Sequence, residues 1–106
     1  MALTHEQNPM LAKAWVQFDG ASAPTINESF NVTSLTDNGV GLYTVNLAIT
    51  MASDNYIVTA IGEADSSNGQ YAVAAFTTTA YQIRQIHAGV LADRNHVSSV
   101  VFGDLA

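Results

Sequence analysis

Short runs rich in Val, Ile, Thr, Tyr and Phe follow one another along this chain, each cut off by a cluster of Gly, Asn, Asp or Ser. That alternation of strand formers with turn residues constrains the fold more than any single motif, because it leaves no room for a sustained helical stripe. The runs are KAWVQF, ESFNVTSL, GLYTVNLAIT, NYIVTAIGEA, YAVAAFTT, AYQIRQIHA and HVSSVVFG. Between them lie DGASAP, TDNGV, MASDN, DSSNGQ and LADRN, whose residues accept turn geometry at low steric cost. The pattern predicts an all-β fold, an antiparallel β-sandwich of about six to seven strands. Near the start, Thr4 and Gln7 have the spacing of a capping box, but Pro9 limits any helix there.

A chain of 106 residues suits one domain, since two would be starved of interior. It has no cysteine, so neither a disulfide frame nor a thiolate zinc site can hold it, and packing must. Nine acidic residues against three basic ones give a formal charge of -6, which argues against nucleic acid as a partner. Charged residues make up 11% of the chain, where an average soluble domain has roughly 25%. Much of the surface is therefore neutral or apolar, and a partner surface is expected. No apolar run approaches the roughly 20 residues of a membrane span, and MALTHEQNPMLAKAW lacks the pattern of a secretory signal. The expectation is a soluble protein without membrane insertion.

Register can be read around Asn38-Gly39. A two-residue turn there sets Phe30 opposite Leu47 and Val32 opposite Val45 on one face, with Asn31 opposite Asn46 and Thr33 opposite Thr44 on the other. A four-residue loop over 52–55 then sets Ile49 opposite Val58, Leu47 opposite Ala60 and Val45 opposite Gly62, which predicts a three-strand meander. Ile57 and Ile61 alternate with that core set and point away from it. A further turn at Asn68-Gly69 would bring Phe76 opposite Ile61 on the same second face. Ile57, Ile61 and Phe76 are thus the candidates for an interface, with burial of each contributing roughly 1.5 to 3 kcal/mol. In a chain this small, a symmetric oligomer is a natural way to cover them.

Reactive motifs are sparse. His87, Asp93 and His96 carry metal-like content at a spacing that fits no known site, and there is no GxSxG, GxGxxG or Walker pattern. Glu63 and Asp65 share a strand face beside a turn and read as solvated charges. No cofactor, metal or catalytic residue is assigned, and no enzyme is expected. The triplets Asn27-Glu28-Ser29 and Asn31-Val32-Thr33 have glycosylation spacing but matter only in a secretory pathway. Trp15 alternates with Lys13 and Gln17, while Ala14, Val16 and Phe18 share the opposite face. An aromatic in that setting can stack on a sugar, but packing in a core or interface is the commoner use.

The stretches AKAWVQFDG, SFNVTSLTDNGVGLYTVNL and MASDNYIVTA, in that order, resemble the small β-domain of bacteriophage tail fibres and related tailed-phage virion structural proteins. The likeness is strongest over residues 13–60 and weaker from Tyr71 onward. It implies a virion structural protein, a homotrimer rather than an enzyme, in which Trp15, Phe18, Gly20, Phe30, Val32, Asp37, Asn38, Gly39, Tyr43 and Val45 determine the fold. Residues 13–106 would form the domain and residues 1–12 a short anchor or arm. The implied role is a tail-fibre-like appendage that presents turns at 65–70 and 93–96 for host-surface attachment, with other virion proteins and a host glycan as partners. Capsid decoration, as a head fibre or cement protein, is the alternative, and a carbohydrate-binding module the third. The family's domain usually ends a much longer fibre, whereas here no shaft, heptad or collagen repeat precedes it.

Overall fold

The strands of the computed structural model are β1 (Ala14–Asp19), β2 (Thr25–Phe30), β3 (Val32–Gly39), β4 (Leu42–Leu47), β5 (Ile57–Gly62), β6 (Gly69–Ala74), β7 (Ala80–His87), β8 (Val90–Leu91) and β9 (Val97–Phe102). It describes residues 11–21, 23–62, 69–87, 90–91 and 96–106, with 69–70, 87 and 90–91 described by their backbone alone. The expected anchor at 1–12 therefore lies almost wholly outside the described residues. Two antiparallel sheets form a sandwich, the first in the order β2-β1-β9-β5 and the second in the order β3-β4-β7-β6. β8 extends the second sheet by pairing with the end of β7, beyond the reach of β4.

Period-two alternation decides which way each strand faces. In β1, Ala14, Val16 and Phe18 are buried between the sheets, and in β9 the same is true of Val97, Ser99 and Val101. β4 supplies Tyr43, Val45 and Leu47, and β7 supplies Tyr81, Ile83 and Gln85. Two contacts tie the layers together. The Phe18 and Tyr43 rings meet edge to face at 5.1 Å, and the Tyr81 and Ser99 hydroxyls lie 2.6 Å apart.

Three expectations about pairing are corrected. The hairpin of β3 and β4 exists, but its tip is Val40-Gly41, and Leu35 rather than Val32 lies opposite Val45. Gly41 takes the turn's left-handed position at φ 66°, where glycine meets no steric cost, whereas a tight turn at Asn38-Gly39 would put Asn38 there. The Asp37 carboxylate accepts the Gly39 N–H at 3.0 Å, beside a bulge that shifts the register by one.

Secondly, the run ESFNVTSL is not one strand. Asn31, at φ 57°, turns the chain out of the first sheet into the second, so that Phe30 pairs with Trp15 while Val32 pairs with Leu47. Asn readily adopts this left-handed conformation. Here its side-chain amide donates to the Lys13 carbonyl at 2.9 Å, and its own carbonyl accepts the Ala48 N–H at 2.8 Å.

Thirdly, β5 does not continue a meander beside β4. It lies in the first sheet against β9, while β4 takes β7 as its neighbour, with Tyr43 opposite Ile83 and Val45 opposite Tyr81. These large residues fill the interior that Gly62 and Ala60 would have left thin. The crossing segment closes one end of the sandwich: Met51 bridges to Leu105, the Ala52 N–H donates to the Asp104 carbonyl, and Tyr56 is buried. The Tyr56 hydroxyl lies 2.8 Å from the carbonyls of both Thr77 and Ala80 and donates to one at a time.

Burial pushes the Tyr81 phenol up to about 12, against the opposing effect of its bond to Ser99, and burial followed by the nearby Asp54 carboxylate pushes Tyr56 up to about 12. Between pH 10 and 12 the unfolded chain has released protons that the folded chain still holds, so stability falls as pH rises through that window. For Tyr81 alone the loss approaches about 3 kcal/mol by pH 12. Urea midpoints measured from pH 9 to 12 should drop accordingly, and Tyr81→Phe should flatten the drop. A wild-type midpoint that does not move contradicts this burial.

Candidate functional site

The two outer faces of the sandwich are chemically opposite. On the second sheet, Ser34, Thr36 and Asn38 of β3 stand beside Thr44 and Asn46 of β4. Their side chains bond to one another: the Asn46 amide donates to the Ser34 and Thr36 hydroxyls at 3.1 and 3.0 Å, and the Thr44 hydroxyl donates to the Asn38 carbonyl at 2.5 Å. Gln82 and Arg84 of β7 continue this polar surface, which Leu42, opposite Arg84, and Ala72 and Ala74 of β6 then interrupt.

The first sheet turns the other kind of surface outward. One row across it runs Phe30, Trp15, Val100 and Thr59, each directly opposite the next, and a second pairs Phe102 with Ile57. Further along, Ile61 stands opposite Ser98, which lies opposite Gln17. Ile57 and Ile61 are 64% and 65% exposed and Trp15 36%. Among the described strand residues of this face the charged ones are Asp19 and Glu28, towards β2, and Asp104 borders it beside Ile57 and Phe102. Four of the exposed large hydrophobic residues of the described structure, Trp15, Phe30, Ile57 and Ile61, thus share one face. Phe30, Trp15, Val100, Phe102 and Ile57 cluster on it, with Ile61 set apart by Thr59, Ser98 and Gln17, and a cluster of this kind is a candidate interaction surface.

Hollows flank the face at both ends of β5. One, of about 370 Å³, is walled by Ile57, Phe102, Gly103, Asp104, Ser53 and Asn55. The other, of about 350 Å³, is walled by Ile61, Gly62, His96 and Ser98.

The sequence candidates divide accordingly. Ile57 and Ile61 point outward, as their alternation predicts. Phe76 does not join them: it packs edge-on against Tyr56 at 5.2 Å, part of the second sheet's contribution to the core. β6 ends at Ala74, and Ala75 at φ 51° breaks the alternation that placed Phe76 outside. Trp15 and Phe30 lie on the apolar face, while Phe18, Tyr43 and Val45 are core residues and Val32 packs against them. The Gly20 carbonyl accepts the Tyr43 hydroxyl at 2.6 Å. Asp37, Asn38 and Gly39 shape the hairpin, where Gly39 has φ 135°.

Sequence reasoning missed Val100 and Phe102. The signal was present in VSSVVF, where these two fall in phase with Ser98 and out of phase with buried Val97, Ser99 and Val101. The Glu63 and Asp65 pair, the Asn68-Gly69 turn's first residue, Asp93 and the side chain of His87 lie outside the described residues. Among the described residues no three His, Asp or Glu side chains gather where a metal could bind. Compared with protein-family models, with curated proteins and with solved structures, the chain matches none.

Proposed function

We propose that this chain is a structural component of a bacteriophage virion, a tail-fibre-like appendage that assembles as a homotrimer and serves attachment to the host surface without catalysing a reaction. The observation that carries the reading is the contrast between the outer faces, one with Trp15, Phe30, Ile57 and Ile61 exposed, the other with an internally bonded polar ladder over β3 and β4. A subunit built to be covered on one side and wetted on the other is a building block. The likeness of residues 13–60 to phage fibre domains supplies the setting, and the residues it marks lie in the core, on the apolar face or in the hairpin.

Locating the protein on particles tests this. Antibody labelling of virions should decorate the tail, and virions lacking the protein should adsorb poorly to host cells. Label on the head at hundreds of copies would replace the appendage by a decoration protein. Particles with an intact tail and unchanged adsorption would remove the attachment role.

A further inference from the structure

We infer that the outer face of the first sheet, centred on Trp15, Val100, Phe102, Ile57 and Ile61, is the surface through which copies of this chain associate. The inference rests on the homotrimer in the function proposed above and assigns that assembly a particular face. Four strands about 4.8 Å apart and six residues long at about 3.4 Å each present roughly 300 Å² of sheet in projection. That is the size of the largest patch on an ordinary monomer, and such patches are often functional.

Charge selects the occupant. The chain carries -6 overall, so its copies repel one another wherever carboxylates face each other. Among the described residues the first sheet's outer face bears its carboxylates at the margins, Asp19 and Glu28 on the β2 side and Asp104 beside Ile57 and Phe102, and none in the row of Trp15, Val100 and Thr59. A basic partner would find little there to pair with, whereas a second copy meets an apolar, uncharged surface like its own. Geometry also suits three copies. A four-strand wall about 14 Å across, closed as a triangle, stands about 4 to 5 Å from the axis, near half the ~10 Å spacing of packed sheets. Side chains from three faces would meet at that axis and leave no channel.

Sedimentation velocity on the wild-type protein and on two double variants reads this out. Ile57→Glu with Ile61→Glu should reduce the mass to that of one chain, because closing the interface would bury unpaired carboxylates. Thr44→Glu with Gln82→Glu, on the polar face, should keep the wild-type mass. Trp15 emission in the wild type provides a measurement that needs no variant: iodide should quench it weakly in the assembly and several-fold more strongly once dilution dissociates it. A trimer whose mass survives Ile57→Glu with Ile61→Glu refutes the assignment of the face but leaves the homotrimer standing. A wild-type monomer at 100 μM concentration, with Trp15 fully quenched, refutes both.

Discussion

Gly62→Ala lowers stability by about 2 to 3 kcal/mol, and Gly62→Val by more, because position 62 has no space for a side chain. A Cβ there would overlap the hydroxyl end of Tyr71 and come within 2.9 Å of the His96 carbonyl oxygen. The tyrosine could yield only by leaving the cluster it packs against, and the backbone carbonyl less readily still. The Tyr71 hydroxyl also lies 3.5 Å from the amide nitrogen of Gln85, a buried side chain whose Oε1 has no hydrogen-bond partner among the described residues. Displacing the phenol therefore removes a polar neighbour from a buried amide, which adds to the cost. Chemical denaturation checks the size of the loss, and the Tyr71→Phe background should relieve part of it. Equal stability of Gly62→Ala and wild type would show that the Tyr71 ring does not sit over Gly62.

Removing the ring of Tyr43 should be as damaging. Tyr43→Ala deletes a fully buried aromatic that packs edge-on against Phe18 and spans the two sheets, a change of the class that costs about 3 to 5 kcal/mol. Against a typical total of about 5 to 15 kcal/mol, that removes a large fraction of the stability. Tyr43→Phe keeps the ring but removes the donor to the buried Gly20 carbonyl, for an expected loss of about 1 to 3 kcal/mol. The ordering wild type, then Phe, then Ala should appear in thermal midpoints. If the Phe variant matches wild type, water rather than the phenol satisfies Gly20.

The all-β sandwich and the inward set of each strand were legible because they depend on local alternation. Ala14, Val16 and Phe18 declare their face within six residues, and so do Ile57 and Ile61. Which strand lies beside which was not legible, because like residues meet in more than one register. The expected hairpin put Val32 against Val45, and the observed one puts Leu35 against Val45 and Thr36 against Thr44, equally matched in polarity. What separates them is the backbone at Asn31, Gly39 and Gly41, where positive φ values place the bulge and the turn. The meander failed for a non-local reason: Tyr43 and Val45 gain larger partners from β7, over thirty positions away, than from β5.

The apolar face was half visible for the same reason. Ile57 and Ile61 could be oriented from their own strand, but their neighbours Val100 and Phe102 come from the far end of the sequence. Phe76 looked equivalent to them by parity, but β6 lies in the second sheet beside β7 rather than paired with β5, and the break at Ala75 then turns Phe76 towards Tyr56. A surface assembled from β1, β5 and β9 has no contiguous signature.

The placement of β1 and β9 at the centre of the first sheet also bears on synthesis. The earliest and latest strands to leave the ribosome are hydrogen-bonded neighbours, Ala14 opposite Val101 and Phe18 opposite Val97. During translation β2 can find β1, but β5 has no strand of its own sheet to pair with until Val97–Phe102 emerges. Its core-facing Val58 and Ala60 stay uncovered until then, and the sheet closes late, through pairings distant in sequence. A stalled or truncated nascent chain would therefore be the species most exposed to aggregation, and most dependent on a chaperone.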